Sequence, residues 1–182
     1  MLNPPLLPLR CDQVVLRAMR REDAAAYAAG TDDAAVREYA HLPEPEYTED
    51  SVLALIDGPI KEGLERGHLA VLTIADPVTD DFTGSLVLFD ATSTSIEVGF
   101  WVHPDHRGRG LTAAALALAS EFARRSGFTT VTARTAVDNV ASQRALERSG
   151  YVRGESSRGT TPSGESAMLL HYRRATERRG RP

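Results

Sequence analysis

The chain has 182 residues, 42% apolar and 25% charged, with a formal net charge of −4. Those values suit a soluble globular chain of about one domain and exclude a largely disordered polymer. No run approaches the roughly 20 apolar residues of a membrane span, and the start MLNPPLLPLR is broken by prolines and lacks the charge of a secretory signal, so a cytoplasmic location is expected.

Residues 14–18 (VVLRA) read as a short strand. Two short helices are predicted over 20–29 and 33–40, parted by Gly30, with Thr31 or Asp32 as N-cap of the second. Prolines make 42–47 a loop. Thr48 opens a helix over 51–65, its hydroxyl placed to cap, and Pro59 is expected to kink or interrupt it. From residue 69 the hydrophobic period shortens to two. Segments 69–75, 84–90 and 96–102 form an antiparallel meander, joined by polar turns at 76–81 and 91–95. In the third strand Ile96, Val98, Phe100 and Val102 point one way; Glu97, Gly99 and Trp101 point the other.

A helix over 111–126 carries Leu111, Ala115, Leu118 and Phe122 on one stripe and stops at Gly127. Strand 130–137 follows, then a helix over 140–149 capped by Asn139 and closed by Gly150, and an extended run at 151–155. The Ser/Gly/Thr-rich stretch 156–165 reads as a mobile hairpin loop, 167–173 as the closing strand and 176–182 as a disordered basic tail. The class is α+β, one domain over 1–175, with a single βαβα passage between strands 96–102 and 130–137.

The only cysteine, Cys11, excludes an internal disulfide framework and reads as a small buried hydrophobe rather than a nucleophile. The five histidines show no ligand spacing, so no metal is expected. Charge is uneven. Residues 1–100 hold 7 Lys and Arg against 18 Asp and Glu, and residues 101–182 hold 14 Arg against 7 Asp and Glu. Such a split suits an anionic ligand on the second half and a cationic one on the first; chance clustering on a solvated surface explains it about equally.

The informative segment is WVHPDHRGRGLT, residues 101–112. It leaves a strand, passes Pro104 and enters a helix through Gly108 and Gly110. Unpaired N–H groups at a helix start form an anion site, and glycine lets an oxyanion approach the backbone. Arg107 and Arg109 add positive charge. This physics calls for phosphate or diphosphate without choosing the carrier. A P-loop is excluded, since the segment has no lysine, and a dinucleotide fingerprint fits poorly after an antiparallel meander. The Arg-rich loop and tail lack interleaved aromatics in an acidic chain, so no nucleic acid partner is expected.

These residues resemble the GNAT family of acyl-CoA-dependent N-acyltransferases. The family's diphosphate loop, [RQ]xxGx[GA], is matched after Val102 and Pro104 by Arg107, Gly108, Arg109, Gly110, Leu111 and Thr112, with Thr112 in place of the usual Gly or Ala. Its second signature is matched by Asn139, Ser142, the pair Ala145–Leu146 and Gly150–Tyr151. The two lie one helix and one strand apart, and VGFW before the loop looks most like the RimJ/RimL-type branch of ribosomal-protein N-acetyltransferases. The resemblance covers about residues 10–175.

What the resemblance implies is a central, mostly antiparallel mixed sheet of six to seven strands, splayed in the middle and flanked by helices. Acetyl-CoA would be the co-substrate, its diphosphate on the loop and its pantetheine arm against the backbone near Trp101 and Val102. The reaction would be direct acetyl transfer to a primary amine, at a protein N-terminus or on a small cationic molecule; the alternative is a CoA-binding regulatory or degenerate module. Glu97 is the candidate base acting through a water, or else a structural carboxylate paired with an arginine. Ser142 is the candidate proton donor to the thiolate, or orients the co-substrate, with Asn139 both capping and contacting it. A strand N–H near Val102 is placed to polarise the carbonyl. Tyr39 and Tyr151 are further donor candidates, although packing suits each better. His103 and His106 flank the loop. Glu38, Glu44, Glu46, Glu49 and Asp50 would attract a protonated amine. No membrane partner is expected, and a homodimer is compatible with the sequence.

Overall fold

A computed structural model describes residues 1–161 and 163–176. Eight strands form one sheet in the order β1-β2-β3-β4-β5-β6-β8-β7, one or two more than the sequence suggests. They are β1 (Leu9–Arg10), β2 (Val15–Ala18), β3 (Ala70–Ala75), β4 (Phe82–Phe89), β5 (Ser95–Val102), β6 (Thr130–Ala136), β7 (Val152–Thr160) and β8 (Ser166–Ala175). The two-residue β1 was too short to signal itself. Every neighbouring pair is antiparallel except β5 with β6, which brackets the predicted βαβ crossover.

The helices are α1 (Ala24–Thr31), α2 (Ala34–Tyr39), α3 (Glu49–Leu55), α4 (Lys61–Arg66), α5 (Leu111–Arg125) and α6 (Val140–Arg148). Asp33, not Thr31 or Asp32, caps α2, accepting from the N–H groups of Ala35 and Val36; Thr31 is buried and donates to the Ala28 carbonyl instead. Thr48 and Ser51 form a capping box at the start of α3. Pro59 cannot donate to an α-helical ladder, and α3 passes into α4 through a π-helical turn, Ile56–Ile60, that contains it. Gly127 and Gly150 end their helices at φ +93° and +79°. None of the described helices is long and apolar enough to cross a membrane.

Strand alternation divides the apolar residues between the two faces of the sheet. Leu72, Leu86, Ile96 and Val98 join the larger core beneath α5, with Phe100 and Val102 packed against it. Trp101 faces the other way, into a smaller core with Tyr27 of α1, Val36 of α2 and Val52 of α3. On α5 the buried stripe widens to include Ala119 and Ala123, while Leu118 is half-buried.

Two expectations need correction. Cys11 is exposed, because it lies on the turn between the short strands β1 and β2. The first half of the stretch 156–165 is ladder: β7 runs to Thr160 and β8 begins at Ser166. Main-chain pairing with β8 holds a segment whose side chains are largely exposed, so composition gives no sign of it. Of the tail, Thr176 donates from its hydroxyl to the Phe128 carbonyl, and residues 177–182 lie outside the described residues.

Candidate active site

After β5 the chain makes one 3₁₀ turn, Pro104–His106, and reaches α5 through Gly108 and Gly110 at φ +75° and +77°. Nothing lies within 4 Å of a Cβ built on Gly108, so the left-handed backbone, not crowding, is what favours glycine there. No side chain caps α5. Among the described residues, the N–H groups of residues 108–113 make no hydrogen bond. A row of open donors at the positive end of a 15-residue helix is a seat for an anion.

Both loop arginines are already paired within the protein. Arg107 forks onto Asp33, the cap of α2, with Nη2–Oδ1 at 2.5 Å and Nη1–Oδ2 at 3.4 Å. That guanidinium, together with the amides Asp33 caps, holds the Asp33 carboxyl below its ordinary range. Arg109 lies 3.1 Å from Nδ1 of His106 and 3.9 Å from Asp76. Each guanidinium keeps further N–H donors, whereas the amides have no protein partner among the described residues.

A cleft of about 560 Å³ runs from this loop toward α6. It exists because β5 and β6 pair only over Ser95–Glu97 and Thr130–Thr132; beyond Glu97 the strands part, and the β5 backbone on that side has no strand partner. On the far wall, Oδ1 of Asn139 accepts from the Ser142 N–H at 3.1 Å and its Nδ2 donates to Ser142 Oγ at 3.0 Å. A backbone N–H can only donate, so it fixes the amide orientation and leaves Nδ2 for the hydroxyl. Neither bond uses the Ser142 hydroxyl proton.

A second cavity, about 360 Å³, meets the first at Tyr39, Ala40, Phe100, Trp101 and Ser142. Glu97 lines this cavity and not the cleft. Both its oxygens accept from Nε of Arg134, at 2.8 and 3.0 Å. Parallel pairing places Thr132 beside Glu97, so Arg134, two residues on, emerges on the same face. Tyr27 packs edge-on against Tyr47 and Trp101, with ring centroids 5.5 and 5.1 Å apart. His41, at φ +48°, also lines the wall, and its Nε2 is buried without a hydrogen-bond partner among the described residues.

The structure thus gathers Trp101, Val102, the segment Arg107 to Thr112, Asn139 and Ser142 along one cleft, with Glu97 in the adjoining cavity. Tyr39 stands where the two meet, whereas Tyr151 is packed in the core. His106 borders the cleft; Nδ1 of His103 accepts from the Asp105 N–H. Of the five acidic residues expected to draw a cation, only Glu44 lines the cavity. Arg134 and Asp33 were missed. Their partners lie 37 and 74 positions away, and only strand register and helix placement bring them together. Among the described residues, no group of three His, Cys, Asp or Glu side chains is arranged to hold a metal ion.

Residues 13–152 match the family model of the acetyltransferase (GNAT) domain. No curated protein matches the sequence. Solved structures resemble it in fold. RimJ from Mycobacterium smegmatis, in complex with CoA-disulfide, is 21% identical with a TM-score of 0.78, over 92% of this chain and 85% of that one. The ribosomal-protein-S5-alanine acetyltransferase from Vibrio fischeri is 12% identical with a TM-score of 0.79, over 97% of this chain and 100% of its own. The spermidine N-acetyltransferase from Vibrio cholerae, in complex with CoA and spermine, is 16% identical with a TM-score of 0.75, over 91% and 97%.

Proposed function

The chain belongs to the GNAT acetyltransferase family, and from that membership we propose direct transfer of an acetyl group from acetyl-CoA to a primary amine, with no acyl-enzyme. The observation that carries this reading is the uncapped start of α5, whose open amides face a cleft leading into the gap between β5 and β6. A diphosphate suits those donors, and a pantetheine arm suits the unpaired β5 backbone near Trp101 and Val102. The thioester supplies the acyl group; the chain's own residues position the partners and move protons.

An amine arriving from the second cavity reaches the gap beside Glu97, which takes its proton through a water while Arg134 fixes the carboxylate. The nitrogen bonds the carbonyl carbon, the carbon–sulfur bond breaks, Ser142 gives its proton to the departing sulfur, and the second proton lost by the nitrogen returns to the Ser142 oxygen. Asn139 supports that step, because its Nδ2–H occupies a lone pair of Ser142 Oγ and leaves the hydroxyl proton to point elsewhere. A β5 N–H near Val102 polarises the carbonyl. The acceptor is a protein N-terminus or a small-molecule amine.

The test is to incubate the protein with acetyl-CoA and a panel of primary amines while following free thiol, alongside calorimetry with CoA. Thiol release dependent on an amine is expected. Absence of both CoA binding and turnover would sink the proposal. Tight CoA binding with no turnover, and Glu97→Gln and Ser142→Ala silent in every property, would point to a binding module.

A further inference from the structure

The second cavity narrows the acceptor, on the strength of the transferase reading above. We infer that this acceptor is a primary amine on an uncharged apolar body, either a free aryl- or alkylamine or the hydrophobic first residue of a peptide, and not a polycation. The floor of the cavity is the sheet face presented by Val71 of β3, Val87 and Phe89 of β4, and Gly99 and Trp101 of β5. Its roof includes Tyr27 of α1, Tyr47 and Val52, with Ile60 of the π-helical turn. These are hydrocarbon and aromatic surfaces, which favour apolar occupants roughly in proportion to area removed from water.

Charge on the wall is sparse. Glu97 has both oxygens on Arg134, and Glu44 is exposed. Glu38, Glu46, Glu49 and Asp50 do not line the cavity. Burial pushes the Tyr27 and Tyr47 phenols up, so neither supplies an anion near neutral pH. A second ammonium on the acceptor would leave water for a wall whose one carboxylate without a cation partner among the described residues, Glu44, is exposed and so screened by solvent, which is costly. The first ammonium escapes that penalty by losing its proton at the reaction gap.

The test compares primary n-alkylamines, from propylamine to hexylamine, with 1,6-diaminohexane, at saturating acetyl-CoA and with thiol release as the readout. We expect kcat/KM to rise about fourfold for each methylene that enters the cavity. Hexylamine should exceed the diamine of equal chain length by about a hundredfold. Trp101, the only tryptophan, lines both cavities, so its emission with CoA present should shift on adding hexylamine and stay still with the diamine. Comparing 2-phenylethylamine with a tripeptide that begins in phenylalanine separates the free amine from the peptide source. A diamine equal to or better than hexylamine, a series flat in chain length, or CoA binding with no apolar amine accepted would each overturn the inference. Loss of CoA binding itself would overturn the transferase reading instead.

Discussion

The Ser142 hydroxyl and the Asp33 carboxylate show how far single side chains carry the account. Ser142 Oγ accepts from Asn139, which leaves its proton available at the junction of the two cavities. Ser142→Ala should therefore lower kcat about a hundredfold, within the usual range for a proton donor, with little change in KM for acetyl-CoA. Steady-state kinetics separates this from a binding role, in which KM would move and kcat would not. Asp33 makes a pH prediction. Its folded carboxyl sits below the ordinary value, chiefly through the hydrogen bond from Arg107. The resulting stability is fully present above the unfolded value, about 3.9, and is lost as pH falls through the lower folded value. Thermal melts of the wild type and Arg107→Gln should thus differ at neutral pH and begin to draw together only as pH falls below about 4. The difference should be small, since the pair is partly exposed. At this scale the sequence displayed the positions that obey local rules: Gly108, Gly110 and Asn139 each sit where a turn or a cap demands them. The pairings of Arg134 with Glu97 and of Asp33 with Arg107 obey no local rule, and so they stayed hidden.

Among the elements, β5 matters most to the site. It pairs with β4 from Glu97 to Val102, but with β6 only as far as Glu97. One side of its second half is left as open backbone, which is the groove we propose for the arm of the co-substrate. Hydrogen exchange should show this directly. Amides of residues 98–102 that point toward β6 should slow when acetyl-CoA is added, and those bonded to β4 should not change. Equal rates with and without acetyl-CoA would place the arm elsewhere. The meander, the crossover and the caps at Thr48 and Asn139 could be read from period and spacing, since side-chain alternation and cap chemistry are local. The second half of β7 could not. Its cohesion comes from main-chain pairing with a segment about ten residues away, and its Ser/Gly/Thr composition carries no apolar alternation. Nor could the point where β5 and β6 part, which depends on register.

The molecule as a whole sets a sheet between two apolar cores and fastens the acceptor-side helices to it with a buried charge cluster. Arg17 and Asp23 are 4% and 3% exposed. Their guanidinium and carboxylate are joined by two hydrogen bonds, at 2.7 and 2.9 Å. Thr73 of β3 donates to the same carboxylate, and Asp80 accepts from Arg17 Nε. Arg17→Ala would leave Asp23 buried without its cation, so chemical denaturation should show a loss of about 3–5 kcal/mol. The uneven charge along the chain proved a poor guide to the site. Arg107 and Arg109 of the basic half are paired with groups of the protein, and most of the acidic candidates lie off the cavity wall. Net charge is blind to such pairing. The central claim is that main-chain amides at the start of α5 hold a diphosphate while β5 opens to take the acyl carrier. A crystal structure with CoA bound measures that most directly. It should show phosphate oxygens within hydrogen-bond distance of the N–H groups of residues 108–112 and the thiol between Glu97 and Ser142. A bound CoA lying elsewhere, with that turn closed by side chains, would contradict it.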